Sequence, residues 1–505
     1  MLPVLNPVRS LRRVELVMRR DETLGSIMQH LAEIHGANRL VEEADGGLRI
    51  TYEQAAKRVH RWAGGIHERT EVGDRVVIAC ANGYEQFLLC LAASRAGTIP
   101  VPINQQMRPD EVTHVMRDSG ASLIVRSAND VDGSVPLADP PKAESSDIAA
   151  LFYTSGTTGK PKGAELTHKA LVGQVLAGAV WPAALHRDEA VFALPVAHIM
   201  GFATLMGFAV AGIPVYVLPK FRPTDVLEAI EARRSTMFIG VPAMYRMMDE
   251  VGADSYDLTS IRVFGSGADA MPQELAQQFK RMGATMTLPV AGPIGEALFV
   301  EGYGMVEVGG GVAAKISPPM INFGLGESVG VGLPSYKLRV VDENGADVAH
   351  GTVGELWVKG PGVIKGYWNA PEASADAVTE DGWLRTGDLV RRGLLGTVMF
   401  VGRAKDVIKR GGYSVYALEV QEALEEHESV LEAVVVAVPD ERLGEVPGAV
   451  VRLAAGKDLA TLDLGAWAAQ RLADYKVPTR FIEIDELPRT GTSKVQKAEL
   501  AHLFD

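Results

Sequence analysis

The sequence predicts an α/β protein: a large N-terminal domain of layered βαβ-type sheets with a β-rich subdomain, followed by a small α+β domain at the C-terminal end. Three observations carry this. Short apolar runs alternate with helical patterns from about residue 50 to residue 282, which indicates βαβ units with parallel strands. After Gly332 the pattern turns to alternating strands around tight turns. From Arg403 onward a mixed stretch of about a hundred residues is long enough to fold as an independent domain. The boundary is therefore expected between 1–402 and 403–505, because 505 residues exceed what one hydrophobic core supports.

The elements follow in order. Arg75 to Ala81 is a short apolar run, and Tyr84 to Arg95 has a helical pattern. Thr98 to Ile103 and Ser122 to Val125 read as strands on either side of a helix from Pro109 to Asp118. Pro214 to Leu218 is a strand and Asp225 to Arg234 a helix; Ile261 to Phe264 precedes a helix from Pro272 to Met282. Lys337 to Asp342 and Gly354 to Lys359 alternate around the Asn344-Gly345 turn. In the last hundred residues, a helix from Ala417 to Glu426 leads to strands at Leu431–Val438 and Gly448–Leu453. A helix from Leu459 to Leu472 and a strand at Arg480–Ile484 follow. Ser127 to Ser146 is expected to be a mobile surface loop.

Composition narrows the class. With 47% hydrophobic and 22% charged residues the chain is an ordinary globular protein. Its net charge of −13 argues against nucleic-acid binding. The only cysteines, Cys80 and Cys90, fit a reducing cytoplasm without a disulfide framework. Arginines near the start are followed by no apolar segment of signal-peptide type. Leu194 to Pro219 is apolar and long enough to raise the membrane question, but Pro195, Gly201, Gly207, Gly212 and Pro214 divide it into a helix and a strand. It is read as buried core, with peripheral membrane contact left open.

The densest chemical signal is Tyr153 to Gly163, where Thr154, Ser155, Gly156, Thr157, Thr158, Gly159, Lys160, Pro161 and Lys162 follow an apolar strand. Glycines let backbone N–H groups converge, hydroxyls donate hydrogen bonds and lysines supply charge, so the stretch suits a polyanion. It is not a Walker loop, because Gly156 and Gly159 are two residues apart and Pro161 follows Lys160. Other polar clusters break the apolar pattern. His198 ends Leu194-Pro195-Val196-Ala197-His198, where a lone histidine is usually a satisfied core residue. Gly265-Ser266-Gly267-Ala268-Asp269-Ala270 matches a dinucleotide fingerprint, but lacks the acidic residue some 20 positions on. Tyr303-Gly304-Met305-Val306-Glu307 puts an aromatic and a carboxylate one helical turn apart. Trp383 to Asp388, Gly402 to Gly412 and Pro488 to Lys497 complete the set; a solvated charged surface is the plain reading of the last two.

Together and in this order, from about Leu24 to Leu500, these motifs resemble the adenylate-forming superfamily of acyl-CoA synthetases, nonribosomal adenylation domains and firefly luciferase, with the fatty-acyl-CoA synthetase branch most similar in texture. The resemblance implies a mobile C-terminal lid and ATP-dependent, AMP-forming ligation of a carboxylic acid to CoA or to the phosphopantetheine of an acyl carrier protein. ATP, Mg²⁺ and CoA are the cofactors it implies, and a fatty acid the substrate. Thr154 to Lys162 would hold the β- and γ-phosphates, and Glu307 would ligate Mg²⁺, a hard cation suited to carboxylate and phosphate oxygen. Tyr303 and Gly304 would lie at the adenine. Gly265, Ser266 and Gly267 would let backbone approach the nucleotide, and Asp388 with Arg403 would bind the ribose hydroxyls. His198 would border the acyl pocket. Lys494 would stabilise charge at the α-phosphate in the first half-reaction. After a pivot at Lys405, Lys409 with Gly411 and Gly412 would replace it and line the entry of the thiol.

The sequence departs from the family pattern at Val306, where threonine is usual, and at Ser493, where glycine is usual. The hairpin Arg391 to Gly396 lacks an Asp-Gly turn, and the acyl-pocket segment Leu288 to Phe299 holds an unusual Pro293-Ile294-Gly295-Glu296. Two further readings stand beside the CoA ligase: an acyl-AMP ligase loading a carrier protein, and a degenerate acyl-adenylate-binding protein with little turnover.

Overall fold

The computed structural model describes residues 7–19, 21–133, 135–154, 161–182, 187–288, 292–319, 328–393, 396–489 and 495–504. The chain divides into two compact units, Met1–Lys337 with Val358–Leu384, and Leu338–Trp357 with Arg385–Asp505. This division and the one expected at residues 402/403 differ in where the β-rich segment is placed.

The first unit is built on a nine-stranded sheet. Its strands run in the order Val331–Gly332, Gly310–Ser317, Leu298–Met305, Val263–Gly267, Met237–Gly240, Ala190–Phe192, Val215–Val217, Arg39–Glu43 and Arg49–Thr51. The central pairs are parallel, as the strand–helix alternation predicts, and the sheet closes with antiparallel partners at both edges. A separate three-stranded parallel sheet joins Ile99–Pro102, Arg75–Ile78 and Leu123–Val125. The apolar stretch 194–219 resolves into the helix Ile199–Ala211 and the strand Val215–Val217, with Phe202, Leu205, Met206 and Val217 buried in the main core. No helix among the described residues is long and apolar enough to cross a membrane.

Local chemistry sets the helix boundaries. Thr51 Oγ1 accepts from Gln54 N at 3.3 Å while Gln54 Oε1 accepts from Thr51 N at 2.9 Å, a reciprocal cap that starts the helix Tyr52–His67. Pro109 opens the helix Pro109–Ser119 and Gly120 closes it in the left-handed conformation. A second core packs the rings of Tyr245, Phe264, Phe279 and Phe299, with centroids 4.9–6.3 Å apart, under the glycine-bearing strand Val263–Gly267.

One sequence expectation is refined here and another corrected. The described part of 127–146 is largely on the surface, as expected, but is tied down at Leu137. Leu137 N donates to His60 O at 2.8 Å, and Arg95 Nε donates to Leu137 O at 2.9 Å. Gly64 and Gly65 of the facing helix admit this backbone, since a Cβ on either would lie 2.0 or 2.2 Å from a carbonyl oxygen of Val135 or Val131. Leu459 to Leu472 is not one helix but a 3₁₀ turn at Leu459–Thr461 and a helix at Leu464–Ala469. The break lies at Asp463, whose carboxylate accepts from Ala466 N at 2.9 Å and caps a new start.

The second unit carries most of the four-stranded sheet Lys337–Val341, Val353–Lys359, Leu384–Arg392 and Val398–Arg403; Lys337, Val358, Lys359 and Leu384 are assigned to the first unit. It also carries a sheet of Tyr413–Tyr416, Val407–Arg410, Gly444–Leu453 and Val430–Asp440, with Arg480–Glu483 parallel to Gly444–Leu453. The helix Ala417–Glu425 covers one face through Val420 and Leu424.

Two buried histidines are expected to make the first unit acid-sensitive. Burial holds His35 down to about 3 and His168 down to about 4, against an ordinary value of 6.5. His168 Nδ1 accepts from Leu24 N at 3.0 Å, a role open only to an unprotonated nitrogen. Because the folded values are depressed, the unfolded chain takes up protons first. Stability is thus complete above about pH 6.5 and is lost as pH falls toward about 4, at up to roughly 1.4 kcal/mol per pH unit for each histidine. Thermal midpoints at pH 7.5, 6 and 5 should fall in that order, and a flat profile would refute the assignment.

Candidate active site

Ser155 to Lys160, expected from the sequence to bind phosphate, lie outside the described residues, but the strands on either side of them are described. Thr154 ends the strand Ile148–Thr154, Lys162 begins the strand Lys162–Thr167, and the two residues face each other across an antiparallel pair. The stretch between them thus connects two antiparallel strands rather than a strand to a helix, unlike a Walker motif.

The segment Ile364–Trp368 bonds this hairpin to the turn that carries Glu307. Glu165 N donates to Gly366 O at 3.0 Å, and Trp368 N to Gly163 O at 2.8 Å. At its other end Ile364 N donates to Glu307 O at 3.0 Å. The Tyr367 hydroxyl donates to Glu307 Oε1 at 2.9 Å, while Lys162 Nζ lies 5.7 Å from the Tyr367 ring centroid. Glu307 and Lys162, far apart in sequence, are thus brought onto one aromatic side chain. Sequence reasoning missed Tyr367; the only signal was an aromatic pair, Tyr367-Trp368, between a glycine and Pro371.

Tyr303 and Glu307 do not share a helix, contrary to the one-turn reading. Tyr303 and Gly304 belong to the strand Leu298–Met305, and Glu307 sits in the 3₁₀ turn Val306–Val308 that follows. The long antiparallel pairing with Gly310–Ser317 keeps the backbone extended through Met305. Val306, where threonine is usual, is buried and packs in the main core.

Gly265, Ser266 and Gly267 lie on the central strand Val263–Gly267, side by side with Val300, Glu301 and Gly302. Packing already restricts two of these positions: a Cβ on Gly265 would lie 3.0 Å from Ile239 Cγ1, and one on Gly267 3.1 Å from Gly302 O. Ser266 Oγ is buried without a hydrogen-bond partner, an unusual state for a hydroxyl and one that a bound polar group would relieve. His198 caps the helix Ile199–Ala211, its Nδ1 accepting from Met200 N at 3.3 Å. Met200 in turn sets its thioether against Gly267, with Sδ 3.7 Å from where a Cβ would stand.

In the second unit, Asp388 and Arg403 are cross-strand neighbours, and Arg403 Nε lies 2.9 Å from the buried Asp388 Oδ1. Thr386 Oγ1 accepts from Asp388 N at 3.0 Å, fixing the strand beneath the carboxylate. Lys405 lies in the 3₁₀ turn Ala404–Asp406, and Lys497 Nζ reaches Asp406 Oδ2 at 2.7 Å. Gly411 and Gly412, with φ of 56° and 88°, form the two-residue hairpin turn between Val407–Arg410 and Tyr413–Tyr416. Positive φ at both central positions is the type I′ requirement that glycine meets without strain. Lys409 Nζ donates to Ser414 Oγ at 2.8 Å across that hairpin. Lys494 lies outside the described residues; Arg489 and Val495 form a β-bridge on either side of it.

Among the described residues no group of three His, Cys, Asp or Glu side chains could hold a metal alone. A single carboxylate such as Glu307 would need phosphate oxygens beside it to hold Mg²⁺, the manner in which this ion is commonly bound.

Comparison with known proteins shows the family. The family described as "AMP-binding enzyme" matches residues 29–368, and "AMP-binding enzyme C-terminal domain" matches residues 419–494. A feruloyl-CoA synthase from an Amycolatopsis species is 33% identical over 484 residues, covering 91% of this chain and 95% of that protein. A long-chain-fatty-acid–CoA ligase from Bacillus subtilis is 36% identical over 374 residues, covering 73% of this chain and 63% of that protein. Among solved structures, o-succinylbenzoate coenzyme A synthetase from Bacillus subtilis, in complex with ATP and magnesium ion, superposes with a TM-score of 0.79 at 25% identity, covering 94% of this chain and 98% of that one. The chain belongs to the adenylate-forming superfamily of AMP-binding enzymes, as an ATP-dependent, AMP-forming CoA ligase of the acyl/aryl class.

Proposed function

We propose that this enzyme activates a hydrophobic carboxylic acid, a fatty acid in the first instance, and passes the acyl group to CoA. The observation that carries the nucleotide half of this reading is the convergence of Glu307 and Lys162 on Tyr367, beside the hairpin that bears the phosphate loop. Support for a hydrophobic acyl group comes from Met200, against Gly267, and from the apolar helix Ile199–Ala211 that His198 caps. The fatty-acid ligase and the feruloyl-CoA synthase among the relatives both carry names of acids with large apolar parts.

A carboxylate oxygen attacks the α-phosphorus of ATP, the bond to pyrophosphate breaks, and acyl-AMP forms. The sulfur of the thiol then attacks the acyl carbon, AMP leaves, and the thiol proton is released. Thr154, Lys162 and the loop between them hold the leaving pyrophosphate, and Lys494 stabilises charge on the α-phosphate oxygens. Mg²⁺, when bound, neutralises charge on the phosphates. Tyr303, Gly304 and Gly265 to Gly267 flank the nucleotide base, Asp388 and Arg403 take the ribose hydroxyls, and His198 borders the acid. Residues 403–505 act as a lid pivoting at Lys405, which exchanges Lys494 for Lys409 and the Gly411-Gly412 turn between half-reactions.

Val306 removes a hydroxyl from the nucleotide side. A hydrogen bond to a charged group contributes about 1.5–3 kcal/mol, enough to slow adenylation without abolishing it. ATP–pyrophosphate exchange with a panel of fatty, aromatic and dicarboxylic acids tests the reading. Exchange is expected with medium- or long-chain fatty acids. Exchange confined to hydroxycinnamic acids would transfer the assignment to the aromatic class, and none with any acid would favour a degenerate binding protein. CoA against a phosphopantetheinylated carrier protein as acceptor then separates the two ligase readings.

A further inference from the structure

We infer that Tyr367 is a positioning residue for the Mg²⁺-binding carboxylate: it orients Glu307 and holds it in register with the base of the phosphate loop. The inference rests on the reading of Glu307 as the metal ligand given above. Tyr367 enters this position through backbone pairing. It bridges to Ala164 in the strand Lys162–Thr167, and its own N donates to Ser374 Oγ at 2.8 Å. The ring therefore has little freedom to leave the space between Lys162 and Glu307. Its hydroxyl donates to one carboxylate oxygen of Glu307 at 2.9 Å, which fixes the carboxylate plane and directs the other oxygen elsewhere. Its π-face lies 5.7 Å from the Lys162 ammonium, within cation–π range, so the same ring also orients the lysine at the foot of the loop.

The physical need is specific. Mg²⁺ demands near-octahedral geometry, and a ligand carboxylate free to rotate loses part of its binding energy in being ordered. A carboxylate already held by a phenol, on the same side chain that steers a phosphate-contacting lysine, is ordered before metal and nucleotide arrive. Outer-shell partners of this kind typically contribute 10- to 100-fold in metal affinity or activity.

The test is calorimetric titration of Mg²⁺ into the full-length enzyme saturated with α,β-methylene-ATP, whose bridging carbon prevents transfer of its adenylyl group, for wild type, Tyr367→Phe, Glu307→Gln and the double variant. Phenylalanine keeps the ring, its packing and the contact with Lys162, and removes only the hydroxyl. Tyr367→Phe is expected to weaken Mg²⁺ binding about 10-fold. It should leave thioester formation from supplied acyl-AMP unchanged, and the double variant should bind no more weakly than Glu307→Gln alone. Unchanged Mg²⁺ affinity in Tyr367→Phe overturns the inference while leaving Glu307 as ligand. So does a further 10-fold loss in the double variant, which would mark the tyrosine as structural. If Glu307→Gln itself leaves Mg²⁺ affinity unchanged, the reading of Glu307 fails and the inference with it.

Discussion

Replacing Lys494 with alanine is expected to lower ATP–pyrophosphate exchange by roughly 10²–10³-fold, while thioester formation from supplied acyl-AMP continues near the wild-type rate. Attack at the α-phosphorus gathers negative charge on oxygens that an ammonium stabilises more in the transition state than in the ground state. Once acyl-AMP exists, that charge development is over, and on the proposed reading the lysine has no further task. Lys409→Ala should show the reverse pattern. Lys409 stands on the hairpin turned by Gly411 and Gly412, with its Nζ 2.8 Å from Ser414 Oγ. Glu445 Oε2, 2.8 Å from Lys409 N, holds the same strand, so alanine leaves the backbone in place. Both half-reactions should be followed for both variants, by exchange and by thiol consumption. Equal damage to the two steps in each variant would sink the two-face lid.

The largest loss of stability is expected from Asp188→Ala, about 3 kcal/mol. The Asp188 carboxylate is fully buried and ion-paired with Arg262; it also accepts from Trp181 Nε1 at 2.9 Å and from Thr236 Oγ1 at 2.9 Å. It ties the chain entering the strand Ala190–Phe192 to the starts of two neighbouring strands, Met237–Gly240 and Val263–Gly267. Alanine removes the carboxylate that a half-buried guanidinium and two donors share, and breaking a buried ion pair costs far more than the pair contributes when intact. Denaturant unfolding should shift its midpoint accordingly. A change below about 1 kcal/mol would show that water replaces the carboxylate at no cost.

Much of the fold was legible because period and punctuation agreed. The helix Tyr84–Arg95 and the strand Arg75–Ile78 lie where apolar runs and breakers place them, since local propensity and burial point the same way there. The break at Asp463 was missed because an apolar pattern ran through it, while the competing cap depends on one carboxylate turning back to Ala466 N. The segment 127–146 read as a mobile surface loop for want of periodicity, and most of it does lie on the surface. Its anchorage comes from Arg95 and from two glycines on another helix, contacts without a local signature. Tyr303 and Glu307 kept their neighbourhood but not their helix, because pairing with Gly310–Ser317 overrides the short-range pattern.

The sequence by itself determined the chemistry on offer: a loop dense in glycine, hydroxyl and lysine, a carboxylate after Tyr303, and paired lysine motifs toward the C-terminal end. Their order was enough to place the chain in its family, because each motif is a contiguous string whose residue types answer a chemical need. Only the tertiary structure decided that the strands flanking the glycine- and hydroxyl-rich stretch pair antiparallel, and that Lys162 and Glu307 meet on Tyr367. That meeting rests on backbone pairing between segments some 200 residues apart, such as Trp368 N to Gly163 O. Hydrogen bonds of that kind use groups every residue carries, so no side-chain pattern announces them.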